Sequence, residues 1–110
     1  MYNTHMDSDK TLDKIRDIII ETVHPDKIIL FGSRATGKNR NNSDYDIFVL
    51  KSGITNERLI ASDIYMALLD FEVGTSVDIV ASSPEKFEKN KDNPYMIYSD
   101  VNTQGITIYG

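Results

Sequence analysis

Two aspartates one residue apart, Asp44 and Asp46, stand immediately before the apolar run Ile47-Phe48-Val49-Leu50. Alternate residues of a strand share a face, so both carboxylates would project together from the head of a strand. Like charges this close repel, and entry into a buried sheet strips their water. A divalent cation would resolve that conflict. Upstream, the apolar run ending at Phe31 meets a corner, Gly32-Ser33. The chain is therefore expected to fold around the loop from Gly32 to Ser43, with the corner on one side and the acids on the other.

The flanking segments read as alternating helices and strands. From about Asp9 the apolar positions Leu12, Ile15, Ile18, Ile19 and Val23 follow a helical period. His24-Pro25 ends that helix, because the residue before proline is pushed out of the helical region. Lys27 to Phe31 is the first strand and Asp44 to Leu50 the second. Arg58 to Phe71 reads as a helix capped by Thr55 or Asn56, with Ile60, Ile64, Leu68 and Phe71 near one face and Gly74 closing it. Ser76 to Ala81 is a third strand carrying Asp78. Ser82-Ser83-Pro84 leads into a short helix from about Glu85 to about Lys89. Asn93-Pro94 opens a short segment through Asp100, and Gly105 to Tyr109 reads as a last strand. Residues 1 to 8 read as a loose start.

A whole helix separates the second and third strands. That is the mark of a parallel pair joined by a crossover, with both strands starting at one edge of the sheet. Asp44 and Asp46 lie at the start of one strand and Asp78 near the start of the other. The topology thus predicts a triad of carboxylates.

The length, 110 residues, suits one domain over 1–110 with its core from about residue 10. No run reaches transmembrane length, and no basic-then-apolar leader opens the sequence. The absence of cysteine excludes disulfides and thiolate metal sites and is compatible with a reducing compartment. A net charge of −5 lacks the broad basic footprint of a duplex-binding protein.

Three carboxylates without a thiolate make a hard oxygen site, suited to Mg²⁺ or Mn²⁺. Two ions about 4 Å apart on such a site serve in-line phosphoryl transfer. Glycine lets backbone approach a phosphate closely, and the amides and hydroxyl that follow can point at its oxygens. Arg34, Lys38 and Arg40 could add positive charge.

Gly32-Ser33, ten residues, then Asp44-Tyr45-Asp46 resembles the signature of the minimal nucleotidyltransferases of the DNA polymerase beta-like superfamily. The likeness extends to Arg34, Ala35, Gly37 and Ser43, to Val77-Asp78-Ile79-Val80, and to the ending Gly105-Ile106-Thr107-Ile108-Tyr109. Gln104 departs from the glutamate expected before the terminal glycine. The resemblance implies an α/β (α+β) fold, a small mixed β-sheet with helices in the nucleotidyltransferase palm arrangement. It implies transfer of AMP from ATP to a hydroxyl. Asp44 and Asp46 would hold two Mg²⁺ ions, Asp78 would complete the catalytic metal site and help deprotonate the acceptor, and Gly32, Ser33 and Arg34 would bind the nucleotide. Small members act as cytoplasmic antitoxins beside an all-helical HEPN-type toxin, and some adenylylate a tyrosine of that partner, which implies a hetero-oligomer.

Plainer readings accompany these. An Asp-x-Asp pair alone is commonly a solvated turn, Asp78 alone an exposed residue on an edge strand, and Ser33 alone a helix cap. Arg34 is more often a surface or salt-bridge residue than a triphosphate ligand, and Lys38 and Arg40 read as parts of a solvated loop. Tyr45 should face away from the acids and pack in the core. Tyr95, Tyr98 and Tyr109 read first as packing residues. His5 and His24 have no ligand partner at useful spacing. Two other functions stand beside the enzyme: an antitoxin that neutralises its partner by contact alone, and a small-molecule nucleotidyltransferase of the kind that modifies antibiotics.

Overall fold

Asp9 starts the first helix, α1 (Lys10–Val23), by accepting the Leu12 amide at 3.0 Å. The computed structural model describes residues 9–39 and 44–110. The readings of residues 1 to 8, His5, Arg40 and Ser43 lie outside the described residues. The predicted stripe of α1, Leu12, Ile15, Ile18, Ile19 and Val23, is buried throughout. His24 takes a left-handed φ of 49° and its amide closes on Ile20, so Pro25 begins a new direction.

Strand β1 (Lys27–Phe31) leads through the one-turn helix α2 (Ser33–Thr36) toward β2 (Tyr45–Leu50). Helix α3 (Glu57–Asp70) is capped by Asn56, whose side chain accepts the Arg58 and Leu59 amides. Then come β3 (Val77–Ser82), α4 (Pro84–Asn90), α5 (Ile97–Gln104) and β4 (Ile106–Tyr109). The sheet order is β3-β2-β1-β4. Strands β2 and β3 run parallel, while β1 is antiparallel to both β2 and β4. The mixed sheet with flanking helices is the predicted fold class.

The period of two sorts the side chains of β2. Tyr45, Ile47 and Val49 join Ile28 and Leu30 under α1 and α3. Phe48 and Leu50 join Ile29 and Phe31 in a second cluster with Tyr98 and Val101 of α5. There Phe48, fully buried, meets Phe87 and Tyr98 with ring centroids 5.5 Å away in each case. Asp46, two residues before Phe48, belongs to this second face.

Two helix boundaries differ from the sequence reading for a local reason, and so does the packing of two tyrosines. Helix α3 stops at Asp70, before Gly74. Glu72 takes the left-handed φ of 49°, with its amide on Leu69 and the Val73 amide on Leu68. That is the closing pattern usually given to glycine. Asn93-Pro94 forms a turn, with the Tyr95 amide on Asn93 Oδ1 and the Met96 amide on the Asn93 carbonyl, so α5 begins only at Ile97. Of the three tyrosines read as packing residues, Tyr98 is buried, whereas Tyr95 is 95% exposed and Tyr109 is exposed as well.

Candidate active site

Parallel pairing sets Asp46 of β2 opposite Asp78 of β3, in the same register that aligns Tyr45 with Val77 and Ile47 with Ile79. The expectation that the crossover brings the third carboxylate alongside holds at the level of backbone register. Asp46 is also opposite Phe31 across the antiparallel pair with β1. It therefore stands between Asp78 on one side and the corner after Phe31 on the other. Asp44 precedes β2 and is exposed; Asp78 is exposed on the edge strand; Asp46 is partly buried.

The electrostatics follow from that placement. The Asp46 carboxyl is raised above its usual value, first by desolvation, then by the charges of Asp78 and Asp44. Asp46 thus feels the charge of both other acids through space. Among the described residues, no three His, Cys, Asp or Glu side chains stand together as a ready-made ligand cage. The donor chemistry nevertheless fits a hard divalent cation: three carboxylates of mutual repulsion at one sheet edge, with no soft donor among them.

Gly32 supplies the close approach. Its φ of 74° and ψ of −157° lie in a region essentially confined to glycine. A methyl group added there would collide with Asp46 Oδ2. The glycine backbone thus lies against the carboxylate edge, and nothing larger fits. Its carbonyl accepts the Ala35 and Thr36 amides, which turns the chain through α2, and Gly37 ends that turn at φ 77°. Ser33 is partly buried within the turn.

Arg34 has a different placement. Its guanidinium carbon lies 3.9 Å from the centroid of the Tyr45 ring, a cation–π stack. The Tyr45 ring belongs to the α1 face of the sheet, as predicted from its alternation with the acids. The Tyr45 hydroxyl donates to the Asp9 carboxylate, 2.8 Å from Oδ2 and 3.0 Å from Oδ1. Desolvation and this bond push the phenol up to about 12. So Gly32, Asp46 and Asp78 come together, while Arg34 is engaged on Tyr45. Lys38 is exposed.

Two contacts escaped the sequence reading. Asp9 was placed only at the start of α1, yet it ties that helix to the strand residue between the two acids. Its position before an apolar helical stripe is an N-cap signal, but its long-range partner has no local signature. Tyr65 of α3 accepts the Ile79 amide at 2.8 Å. It thereby satisfies the outward edge of β3 one residue after Asp78 and fixes the strand that carries it.

The family model described as polymerase beta, nucleotidyltransferase, matches residues 13–109. A chain of a toxin-antitoxin crystal structure with AMP-PNP is 25% identical, with a TM-score of 0.62 over 89% of this chain and 72% of that one. A chain of a mutant of the toxin-antitoxin MntA-HpeT is 24% identical, with a TM-score of 0.61 and the same coverage of both chains. A putative nucleotidyltransferase from Sulfolobus solfataricus is 18% identical, with a TM-score of 0.57 over 89% of this chain and 76% of that one, a likeness of fold. No protein of curated function matches the sequence significantly.

Proposed function

This chain belongs to the polymerase beta nucleotidyltransferase family, and we propose that it transfers AMP from ATP to a hydroxyl, that of a tyrosine of a HEPN-type toxin for which it serves as antitoxin. The observation that carries this reading is the pairing of Asp46 with Asp78 in adjacent parallel strands, with the Gly32 backbone close against the Asp46 carboxylate. A similar chain that crystallised in a toxin-antitoxin assembly with AMP-PNP supports both the nucleotide and the partner.

In this reading Asp44, Asp46 and Asp78 hold Mg²⁺, two ions in the full site, with Mn²⁺ as a substitute. A cation held there would supply charge for the triphosphate and would lower the pKa of the attacking hydroxyl. Gly32 and Ser33 present backbone and hydroxyl to the triphosphate; Arg34 adds its positive charge only by leaving the Tyr45 ring on which it stacks. Asp78 helps take the acceptor's proton, a role that its exposure on the edge strand supports. The acceptor oxygen then bonds to the α-phosphorus as the bond to pyrophosphate breaks. Pyrophosphate leaves, and Asp46 with its neighbours stays behind.

The test is incubation with a candidate helical toxin, Mg²⁺ and ATP labelled at the α-phosphate. Label should pass to the toxin with the wild-type chain and fail to pass with Asp44→Ala or Asp46→Ala. Equal transfer by the variants would place the chemistry elsewhere. A second reading, neutralisation by contact alone, is favoured by the exposed apolar side of α3. It is supported if the Asp44/Asp46 double variant neutralises the toxin as well as the wild type at matched expression.

A further inference from the structure

Helix α3 has two apolar faces, and the fold uses one. Ile64 and Leu68 turn inward and are buried. Leu59, Met66 and Leu69 turn outward and are 58%, 59% and 71% exposed. With Ser62 they recur at spacings of three, four and three, the a and d positions of two heptads. A solvent-facing stripe of this kind on a helix already packed by its other side marks an interaction surface.

The flanks say what kind of partner fits. Asp63 and Asp70 are exposed and fall four residues after Leu59 and Met66, the e position of each heptad. Glu72, in the closing turn, is exposed as well. On the other flank Arg58 is the one exposed base among the described residues of α3, and a groove of about 340 Å³, lined by Tyr65, Leu68, Leu69, Glu72, Val73 and Val77, offers space for a side chain beside the seam.

We propose that the outer face of α3 is a docking seam for an amphipathic helix of a different, basic chain. Its apolar side chains seat on Leu59, Met66 and Leu69, and its lysines or arginines pair with Asp63 and Asp70. The proposal deepens the toxin–antitoxin reading, on which it rests for the existence of a partner. Charge selects the occupant. A second copy laid antiparallel would set aspartate against aspartate, and each copy carries a net charge of −5. An anionic membrane surface is disfavoured by the same acids. The placement is also compatible with catalysis. Helix α3 covers the sheet face of Tyr45, Ile47 and Val49, whereas Asp46 and Phe48 belong to the other face, so an occupied seam leaves the acidic edge open.

The probe is a fluorescein-labelled designed helix with leucine at a and d and lysine at e and g, beside a companion with glutamate at e and g. The wild-type chain should bind the lysine peptide saturably and the glutamate peptide at least tenfold more weakly. The triple variant Leu59→Gln/Met66→Gln/Leu69→Gln keeps the net charge and should lose at least tenfold in affinity. Met66→Gln alone, on the solvent side, should lose several-fold and serves if the triple variant melts early. Asp63→Asn/Asp70→Asn should narrow the gap between the two peptides. Equal binding by wild type and the glutamine variants would overturn the seam, because net charge would then suffice. A wild-type chain that sediments as a dimer, dissociated by the triple variant, would overturn the foreign partner in favour of a second copy. Binding of α,β-methylene ATP with Mg²⁺ is measured in parallel and should be unchanged by the glutamine variants. Loss of nucleotide binding in the wild type would count against the proposed function while the peptide result still judges the seam.

Discussion

Gly32→Ala is expected to be among the most damaging single-methyl additions in this chain, and its cost can be separated into two parts. The backbone at φ 74° and ψ −157° is nearly closed to other residues, which costs about 1–3 kcal/mol. The added methyl also runs into Asp46 Oδ2 and lies 3.0 Å from Cγ and 3.2 Å from Cβ of the same residue. Overpacking of that kind costs about 1–3 kcal/mol more. The total, about 2–6 kcal/mol, is a large part of the roughly 5–15 kcal/mol that holds a domain together. Gly37 and Gly53 provide controls, at φ 77° and 75° with open space around an added methyl. Gly37→Ala and Gly53→Ala should cost only the backbone part, about 1–2 kcal/mol. A double-mutant cycle isolates the contact, because Asp46→Ala removes the Cγ and Oδ2 that the methyl meets. In that background Gly32→Ala should cost about 1–3 kcal/mol less than in the wild type. Urea unfolding followed by circular dichroism at pH 7 measures all four corners. An equal cost in both backgrounds would refute the close approach of corner and carboxylate on which the site depends.

Other consequences are testable by the same means. The raised Asp46 carboxyl binds its proton more tightly folded than unfolded, so stability falls as pH rises from the ordinary carboxylate value through the raised one. Asp46→Asn should therefore raise the thermal midpoint at pH 7, with the advantage vanishing as the pH drops below 3.8. With α,β-methylene ATP present, Mg²⁺ at a hundred times its dissociation constant should stabilise the wild type by about 2.7 kcal/mol and Asp46→Asn far less, in a thermal shift assay. Tyr45→Phe removes the donor to the Asp9 carboxylate and should cost about 1–2 kcal/mol, with no further loss when added to Asp9→Ala. Glu72→Gly relieves a left-handed residue and should stabilise by roughly 0.5–1 kcal/mol in urea unfolding.

What could be read from the sequence was what obeys a period or a local rule. The stripe of α1, the alternation of β2 that sends Tyr45 one way and Asp46 the other, and the parallel crossover that aligns Asp78 all follow from spacing. The register of Asp46 against Asp78 is the part of the site most fully legible. Contacts between distant residues were not: Asp9 with Tyr45, and Tyr65 with the Ile79 amide, join residues 36 and 14 positions apart and leave no local pattern. Arg34 shows the same limit, since nothing before it in sequence says that its guanidinium stacks on Tyr45. The end of α3 misled for a chemical reason. Glycine is the usual left-handed closer, so Gly74 drew the boundary, while Glu72 took the conformation and the closing hydrogen bonds. The outer stripe of α3 carries no signal of its own in the sequence, because the inward stripe of Ile64 and Leu68 already accounts for the helix.

The central claim is that Asp44, Asp46 and Asp78 form one oxygen-donor cation site at the Gly32 corner. Electron paramagnetic resonance of Mn²⁺, titrated into the chain with α,β-methylene ATP, tests it without needing the acceptor. The wild type should bind Mn²⁺, and Asp44→Asn, Asp46→Asn and Asp78→Asn should each weaken binding at least tenfold while the chain stays folded. Unchanged Mn²⁺ affinity in Asp46→Asn and Asp78→Asn would contradict the account, because the two carboxylates that the sheet sets opposite each other would then hold nothing.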